Sequence, residues 1–499
     1  MTLQAEAITT QRNPVPVDCS LPNMLAYAQG DCAISLVMNG IFGFAMLYYT
    51  NALGLNPAWA GIAMSLSVAW EAISEPLMGH ISDITRSRWG QRHGYMLVGG
   101  LLMAACSYLI WDVPHKFLGS QVSMFWYLVA INLLLRSGLT MFFIPYVALG
   151  FEMTNDYQGR SRLQAIRQIF NMAANFAGPA MAWTIFFQNH GKIPATSVAA
   201  NYLHMGTVFA GATALFVLIA VMSTYRWHKD TRLAIPEFKS GGVTAFFLDM
   251  KQILLDPFPR WVFVFVFLIC VGMVLVSSLQ MFVYVDFMKL SADQKTIAQG
   301  GTMIAMALGA LISMPLARRV DKKGAAMIGG LISILSSIFL ILVFSTGLVN
   351  PSLNWRVAGI NLPMSLILFV AGQAGYWFGN GIMLPLSIAM MADVSEIHRI
   401  KTGFSKDGSY SSVYSLAMRM AIALSLVLSG YCLTAIGYST AMHGMTPTQT
   451  PSTIWKLGFT TFLSGAVFAT VAIVTISFYP ITLRRMQELR TSPTDDLRH

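Results

Sequence analysis

Glu71 and Glu75 stand four residues apart inside an otherwise apolar stretch. On a helix that spacing puts both carboxylates on one face, separated by about 6 Å of axial rise. Within a bilayer each costs on the order of 2.5–3.5 kcal/mol, and the two repel unless one holds a proton or a cation lies between them. A bare pair would be unstable, so a shared proton or cation is one reading. Sodium wants several closely placed oxygens, whereas a proton needs one carboxyl group. A second reading is that buried arginines neutralise the two acids and lock helices together. Arg136, Arg167 and Arg419 also fall inside apolar stretches, as does Asp31. The arginines suit paired hydrogen bonds to a carboxylate, sulfate or phosphate on a solute, or salt bridges to Glu71, Glu75 and Asp31. Both readings stay open on sequence grounds.

A neutral, shaped surface for a solute is offered by Gln373, Tyr376, Trp377 and Asn380, together with Phe143, Asn171 and Asn175. Aromatic faces stack on a sugar ring and amides pair with its hydroxyls, although mid-helix aromatics are more often packing. Gly372, Gly375, Gly379 and Gly381 permit close helix contact or bending, and the 32 methionines read as adaptable packing. The five cysteines are widely spaced and without a CxxC, so neither a disulfide framework nor a structural metal site is expected.

The elements that must carry these side chains follow from composition. Of 499 residues 55% are hydrophobic and only 11% charged, more apolar surface than one soluble core can hide. Apolar runs fall at 24–50, 56–82, 94–113, 122–150, 164–188, 203–225, 259–288, 297–317, 325–348, 360–391, 410–436 and 455–483. Each is long enough to cross about 30 Å of hydrocarbon, and continuous runs exclude the alternating strands of a barrel. An all-α membrane protein with twelve transmembrane helices is expected.

The net charge of +10 comes from short basic clusters between runs, which excludes a nucleic-acid-binding patch. Loops after even-numbered runs, with the C-terminal tail, carry twenty Lys and Arg, among them Arg86, Arg88, Arg92, Arg318, Arg319 and Lys322; the other side carries six. That bias places those loops and both tails in the cytoplasm. The organisation expected is a tail at 1–23, a six-helix bundle at 24–225, a central loop at 226–258, a second bundle at 259–483 and a tail at 484–499. Residues from Ala245 to Leu255 fit an amphipathic helix lying at the interface. Gly79–Asp83 after the second run resembles Ala317–Asp321 after the eighth, so the halves read as pseudo-symmetric around a central site. No GxxxxGK[ST] loop is present, which disfavours an ATP-driven pump.

Trp70-Glu71-Ala72-Ile73-Ser74-Glu75-Pro76-Leu77-Met78-Gly79, running into Ser82-Asp83-Ile84-Thr85-Arg86-Ser87-Arg88-Trp89-Gly90-Gln91-Arg92, resembles the signature of the glycoside-pentoside-hexuronide:cation symporters, a branch of the major facilitator superfamily. Further matches are Tyr27-Ala28-Gln29-Gly30-Asp31, Tyr48-Tyr49-Thr50, Ile144-Pro145-Tyr146, Arg160, Arg167, and Ala392-Asp393 through Gly403, Gly408 and Tyr410.

The resemblance implies the major facilitator fold, alternating access, coupling to sodium or protons at Glu71 and Glu75, and a sugar, sugar acid or glycoside as solute. It implies no enzymatic activity and no cofactor, with a monomeric inner-membrane carrier whose partners are the solute and the bilayer. Asp31, Arg167 and Arg419 match positions near substrate or the inner gate. Ser35 and Phe143 stand where a melibiose carrier has sugar-binding aspartates, which argues against a galactoside held in that manner. A gate role is implied for Asp83, Arg86, Arg88 and Arg92, with Asp393 as the counterpart in the second half. A lysophospholipid or other amphipathic anion is the alternative solute, and a non-transporting sensor the alternative class.

Overall fold

The structure, a computed structural model, describes residues 20–85, 87, 89–153, 157–188, 194–225, 259–345, 354–357, 360–402, 407–440 and 448–480. The tails, the loop at 226–258 with its expected interfacial helix, Arg86 and Arg88 lie outside them.

The apolar runs become long helices. The first six are α1 (Leu21–Gly40), α2 (Pro57–Ile84), α3 (His93–Trp111), α4 (Gln121–Glu152), α5 (Tyr157–Met181) and α6 (Ala199–Thr224). α7 is Arg260–Phe282, and a single 54-residue stretch, Ala292–Ser345, folds as two helices. These join at Asp321, whose φ of 67° and ψ of 161° break the helix while its Oδ1 accepts from the Lys322 amide at 2.7 Å. α8 precedes that joint and α9 follows it. α10 (Met364–Thr402), α11 (Asp407–Ala435) and α12 (Pro451–Ser477) complete twelve spans among the described residues.

α1, α5 and α7 each end in wider π-type turns, at Ile41–Ala45 and Tyr48–Ala52, Ala182–Phe186 and Val283–Phe287. α2 starts cleanly because Pro57 occupies its first turn and Asn56 accepts from the Ala58 amide at 2.9 Å. Prolines interrupt five helices: Pro76 in α2, Pro145 in α4, Pro179 in α5, Pro315 in α8 and Pro385 in α10. Each removes one backbone hydrogen bond and permits a bend. Pro76 frees the carbonyl of Ala72, loosening α2 where Glu71 and Glu75 project.

The run expected to be helical from 360 differs. Asn354–Val357 and Ile360–Pro363 pair as a two-stranded antiparallel ribbon, and α10 begins only at Met364. Asn361 and Pro363 interrupt the apolar pattern there, and Pro363, which lacks an amide hydrogen to donate, suits the position just before a helix start.

α1 packs on α5 and α6, α3 on α4 and α6, and α2 on α4; in the second half α10 and α12 pack on the α8–α9 hairpin, and α7 on α11 and α12. Two six-helix bundles result. They meet along α2 with α11 and along α5 with α8. Calling the side of the arginine-rich loops the basic side, the bundles are closed on the opposite side. A Cβ on Gly61 would lie 2.3 Å from the Leu426 carbonyl oxygen, and one on Gly430 2.3 Å from that of Pro57. The Tyr438 hydroxyl lies 2.6 Å from Asp286 Oδ2 and 3.2 Å from Asn51 Oδ1 of the other bundle. The buried Lys295 ammonium sits 4.3 Å from the centre of the Trp183 ring, again across the divide.

Candidate functional site

α2 and α4 set the register of the site. Trp70 Nε1 donates to Ser137 Oγ at 2.9 Å, and Ser74 Oγ meets Thr140 Oγ1 at 3.2 Å. Between these ties Glu71 faces Arg136, whose Nη1 donates to Glu71 Oε2 at 2.7 Å. Both side chains are only 2% exposed. Arg136 also lies 3.5 Å from the Met38 sulfur and 5.4 Å from the Phe42 ring centre. Its Nε is buried without a hydrogen-bond partner.

Arg419 enters from α11 of the other bundle. Its Nη1 lies 3.2 Å from Glu71 Oε1, and its Nη2 donates to Glu75 Oε1 at 2.6 Å. Four residues expected to serve a cation or a solute thus form one cluster with two negative and two positive charges. The reading in which arginines neutralise the acids describes this arrangement. Arg419 lies between the two carboxylates and contacts both.

Asp31 and Arg167 satisfy each other one layer nearer the basic side. Arg167 donates from Nε to Asp31 Oδ2 at 2.8 Å and from Nη2 to Oδ1 at 3.1 Å, a bidentate pair. Tyr146 adds a 2.6 Å hydrogen bond to Oδ2, and Arg167 stacks 4.8 Å from its ring centre. Asp31 has its lone pairs occupied by α4 and α5, so the pair joins α1 to both helices instead of presenting a free acid to a solute.

Ser35, one turn beyond Asp31, accepts from Asn171 Nδ2 at 2.9 Å. The ladder continues from Asn175 Nδ2 to Asn171 Oδ1 at 2.8 Å and from Asn39 Nδ2 to Asn175 Oδ1 at 2.6 Å. Asn39 was not singled out from sequence. Its signal was the four-residue spacing of Asp31, Ser35 and Asn39 along α1, facing that of Arg167, Asn171 and Asn175 along α5.

The α10 candidates divide. Trp377 is half-buried and its Nε1 donates to Gln280 Oε1 of α7 at 3.3 Å. Gln280, also missed from sequence, in turn donates to the Tyr284 hydroxyl. Gln373 is buried with its Oε1 unpartnered. The Tyr376 ring stands edge-on to Trp377, 5.7 Å between centres. The Tyr376 ring packs at Gly465 and its hydroxyl approaches Gly272, while the Asn380 amide donates to the Tyr376 carbonyl at 2.9 Å. Both therefore help hold the second bundle together. Phe143 is half-buried against the first bundle's core.

At the basic ends, Arg92 donates to Ser82 Oγ at 2.9 Å, tying the start of α3 to α2. Asp83 stands in the last turn of α2. Asp393 of α10 receives both of its oxygens' bonds from Lys322 Nζ, at 2.6 and 2.7 Å.

A family model described as MFS/sugar transport protein matches residues 26–483. The glucuronide carrier protein homolog of Escherichia coli is 25% identical, over 93% of this chain and 94% of its own. The sodium-dependent lysophosphatidylcholine symporter 1-A of Danio rerio is 24% identical, over 84% of this chain and 78% of its own. Among solved structures, the inward-open xylose transporter of Escherichia coli superposes with a TM-score of 0.60 at 14% identity, covering 94% of this chain and 98% of that one.

Proposed function

The chain belongs to the MFS/sugar transport family, the glycoside-pentoside-hexuronide branch of the major facilitator superfamily, and from that premise we propose that it is a cation-coupled symporter of a sugar, sugar acid or glycoside. It is a multi-pass membrane transporter and not an enzyme.

The observation that carries the mechanism is Arg419 reaching from α11 to both acids of α2, 3.2 Å from Glu71 and 2.6 Å from Glu75. With the basic side facing the cytoplasm, the state described is closed to the outside, and Arg419 acts as a tethered cation between the acids. Rocking the bundles to open the outer side separates α2 from α11 and draws the guanidinium away. Glu71 keeps Arg136, and Glu75 is left bare. A sodium ion or a proton then takes the vacated place, because an uncompensated carboxylate there costs on the order of 2.5–3.5 kcal/mol. On return, Arg419 competes with that cation and expels it inward. Coupling arises because solute and cation favour the same state. Asp31, Ser35, Arg167 and the asparagine ladder frame one wall of the cavity; Trp377, Gln280 and Gln373 frame the other. Both tails lie in the cytoplasm, and Arg92, Asp83, Arg86, Arg88 and Asp393 serve the inner gate.

A lysophospholipid is the second reading. It is favoured by the lysophosphatidylcholine symporter among the relatives and by Ser35 and Phe143 in place of sugar-binding acids. Proteoliposomes test the main reading. The wild type accumulates its solute under an imposed sodium or proton gradient, and Glu71→Gln with Glu75→Gln together abolishes uphill accumulation. Accumulation by the double variant with unchanged ion dependence would overturn it.

A further inference from the structure

The central cluster is formally neutral, and its four members differ in access. Glu71 and Arg136 are sealed at 2% exposure, while Glu75 is 16% and Arg419 26% exposed. A solute approaching from the basic side therefore meets Arg419 first. The guanidinium is divided between two acids, and its contact with Glu71 is the longest of the three ion pairs at 3.2 Å, against 2.7 and 2.6 Å. Arg136 remains on Glu71 whatever Arg419 does, and still has a buried Nε–H to offer.

A neutral cluster in a low-dielectric site resists taking up one charge of either sign. A cation alone leaves it at plus one and an anion alone at minus one, and neither excess charge is compensated. One of each leaves it at zero. We propose that the transported solute is a singly charged oxyanion, taken by Arg419, and that it loads together with one monovalent cation so that the transport step moves no net charge.

The exchange of partners is simple. Two oxygens of the solute accept from Nη1 and Nη2 of Arg419, the fork geometry that suits a carboxylate or a phosphodiester. Glu71 Oε1 and Glu75 Oε1 are released and receive the cation between them, while Arg136 keeps Glu71 Oε2. Every charge ends beside an opposite one. A neutral sugar cannot do this, since its hydroxyls would compete with two carboxylates for one guanidinium. The inference rests on the symport reading above and adds the sign of the solute's charge to it.

The test uses the purified full-length protein in proteoliposomes with three probes: glucuronate, its neutral counterpart glucose, and lysophosphatidylglycerol. Glucuronate or lysophosphatidylglycerol exchanges at least about tenfold faster than glucose, and which of them does so separates a carboxylate from a phosphodiester source. With valinomycin, a tenfold potassium gradient changes steady accumulation of that anion less than about twofold, whereas one net charge per cycle would change it about tenfold. Arg419→Lys, which keeps the charge and loses the fork, weakens anion binding about tenfold and retains the cation requirement. Faster exchange of glucose, a tenfold response to the potential, or unchanged anion binding in Arg419→Lys overturns the inference and leaves the symport reading standing. Exchange of none of the three probes overturns the inference as well, and the symport reading stands or falls on the Glu71→Gln, Glu75→Gln double variant.

Discussion

Arg419 Nη2 lies 2.6 Å from Glu75 Oε1, although the two residues are 344 positions apart and belong to different bundles. The link crosses the α2–α11 seam on the exposed edge of a buried cluster, between the closed outer side and the basic side. Its energy lies between that of a surface pair, about 0–1 kcal/mol, and that of a buried one whose loss costs about 3–5 kcal/mol. Replacing Arg419 by Gln removes the tethered competitor for the cation place while Arg136 still restrains Glu71. Sodium or protons should then bind at least about tenfold more tightly, read as a cation-dependent shift in thermal stability of the detergent-solubilised protein. Equal or weaker cation binding would show that Arg419 does not compete for that place.

Asp31 and Arg167 carry a structural load that is separable from coupling. Each side chain is 10% exposed, and the acid accepts from both Arg167 and Tyr146. Asp31→Asn and Arg167→Gln should each destabilise by about 3–5 kcal/mol, because each strands a buried charge. The double variant should lose less than the sum, since it strands neither. Urea or thermal unfolding of the four-membered cycle measures this, and strict additivity would mean that the two residues act apart.

Much of this architecture was readable because membrane helices announce themselves by apolar length. The runs at 94–113 and 122–150 lie within α3 and α4 to a few residues. Glu71, Glu75, Arg136 and Arg419 stood out for the same reason, as charges where charge is costly. What was not readable was pairing. Whether Arg136 meets a solute or Glu71 depends on α2 and α4 packing with Trp70 opposite Ser137, and no periodicity within one run encodes that. The α8–α9 joint fell in the gap between the runs at 297–317 and 325–348; what that gap did not show was the positive φ of Asp321, a tertiary outcome. Asn51, Asp286, Lys295 and Tyr438 went unremarked as gate residues, since each sits at the end of a run where polar side chains are common.

The closed outer side depends on glycine at the α2–α11 crossing. A methyl group at Gly61 would stand 2.3 Å from the Leu426 carbonyl oxygen, a backbone atom that cannot swing aside. Gly61→Ala should therefore disfavour outer closure while leaving each bundle folded. With spin labels at Ser120 and Ser439, both exposed on the outer side of different bundles, the variant should show a longer distance population than the wild type. An unchanged distribution would mean that α2 and α11 accommodate the methyl without parting.

Tyr438 has one hydroxyl proton and two nearby acceptors. The shorter contact, 2.6 Å to Asp286 Oδ2, takes the proton; Asn51, whose Oδ1 lies at 3.2 Å, completes the arrangement best with its amide turned so that Nδ2 donates to the phenol oxygen. The phenol thereby connects a carboxylate of α7's terminal turn to the end of α1. Tyr438→Phe keeps the ring against Phe282, 5.1 Å between centres, and deletes only the polar bridge. The carboxylate of Asp286 then loses a charge-assisted bond worth about 1.5–3 kcal/mol, and the closed state loses one of its ties across the bundles. The same label pair at Ser120 and Ser439 should report a larger open population, and solute exchange should become less dependent on cation, because the open state is populated with less help from cation binding. If exchange keeps its full cation dependence and the label distances do not lengthen, Tyr438 contributes packing alone and the outer closure rests on the Gly61–Gly430 crossing and the Lys295–Trp183 contact.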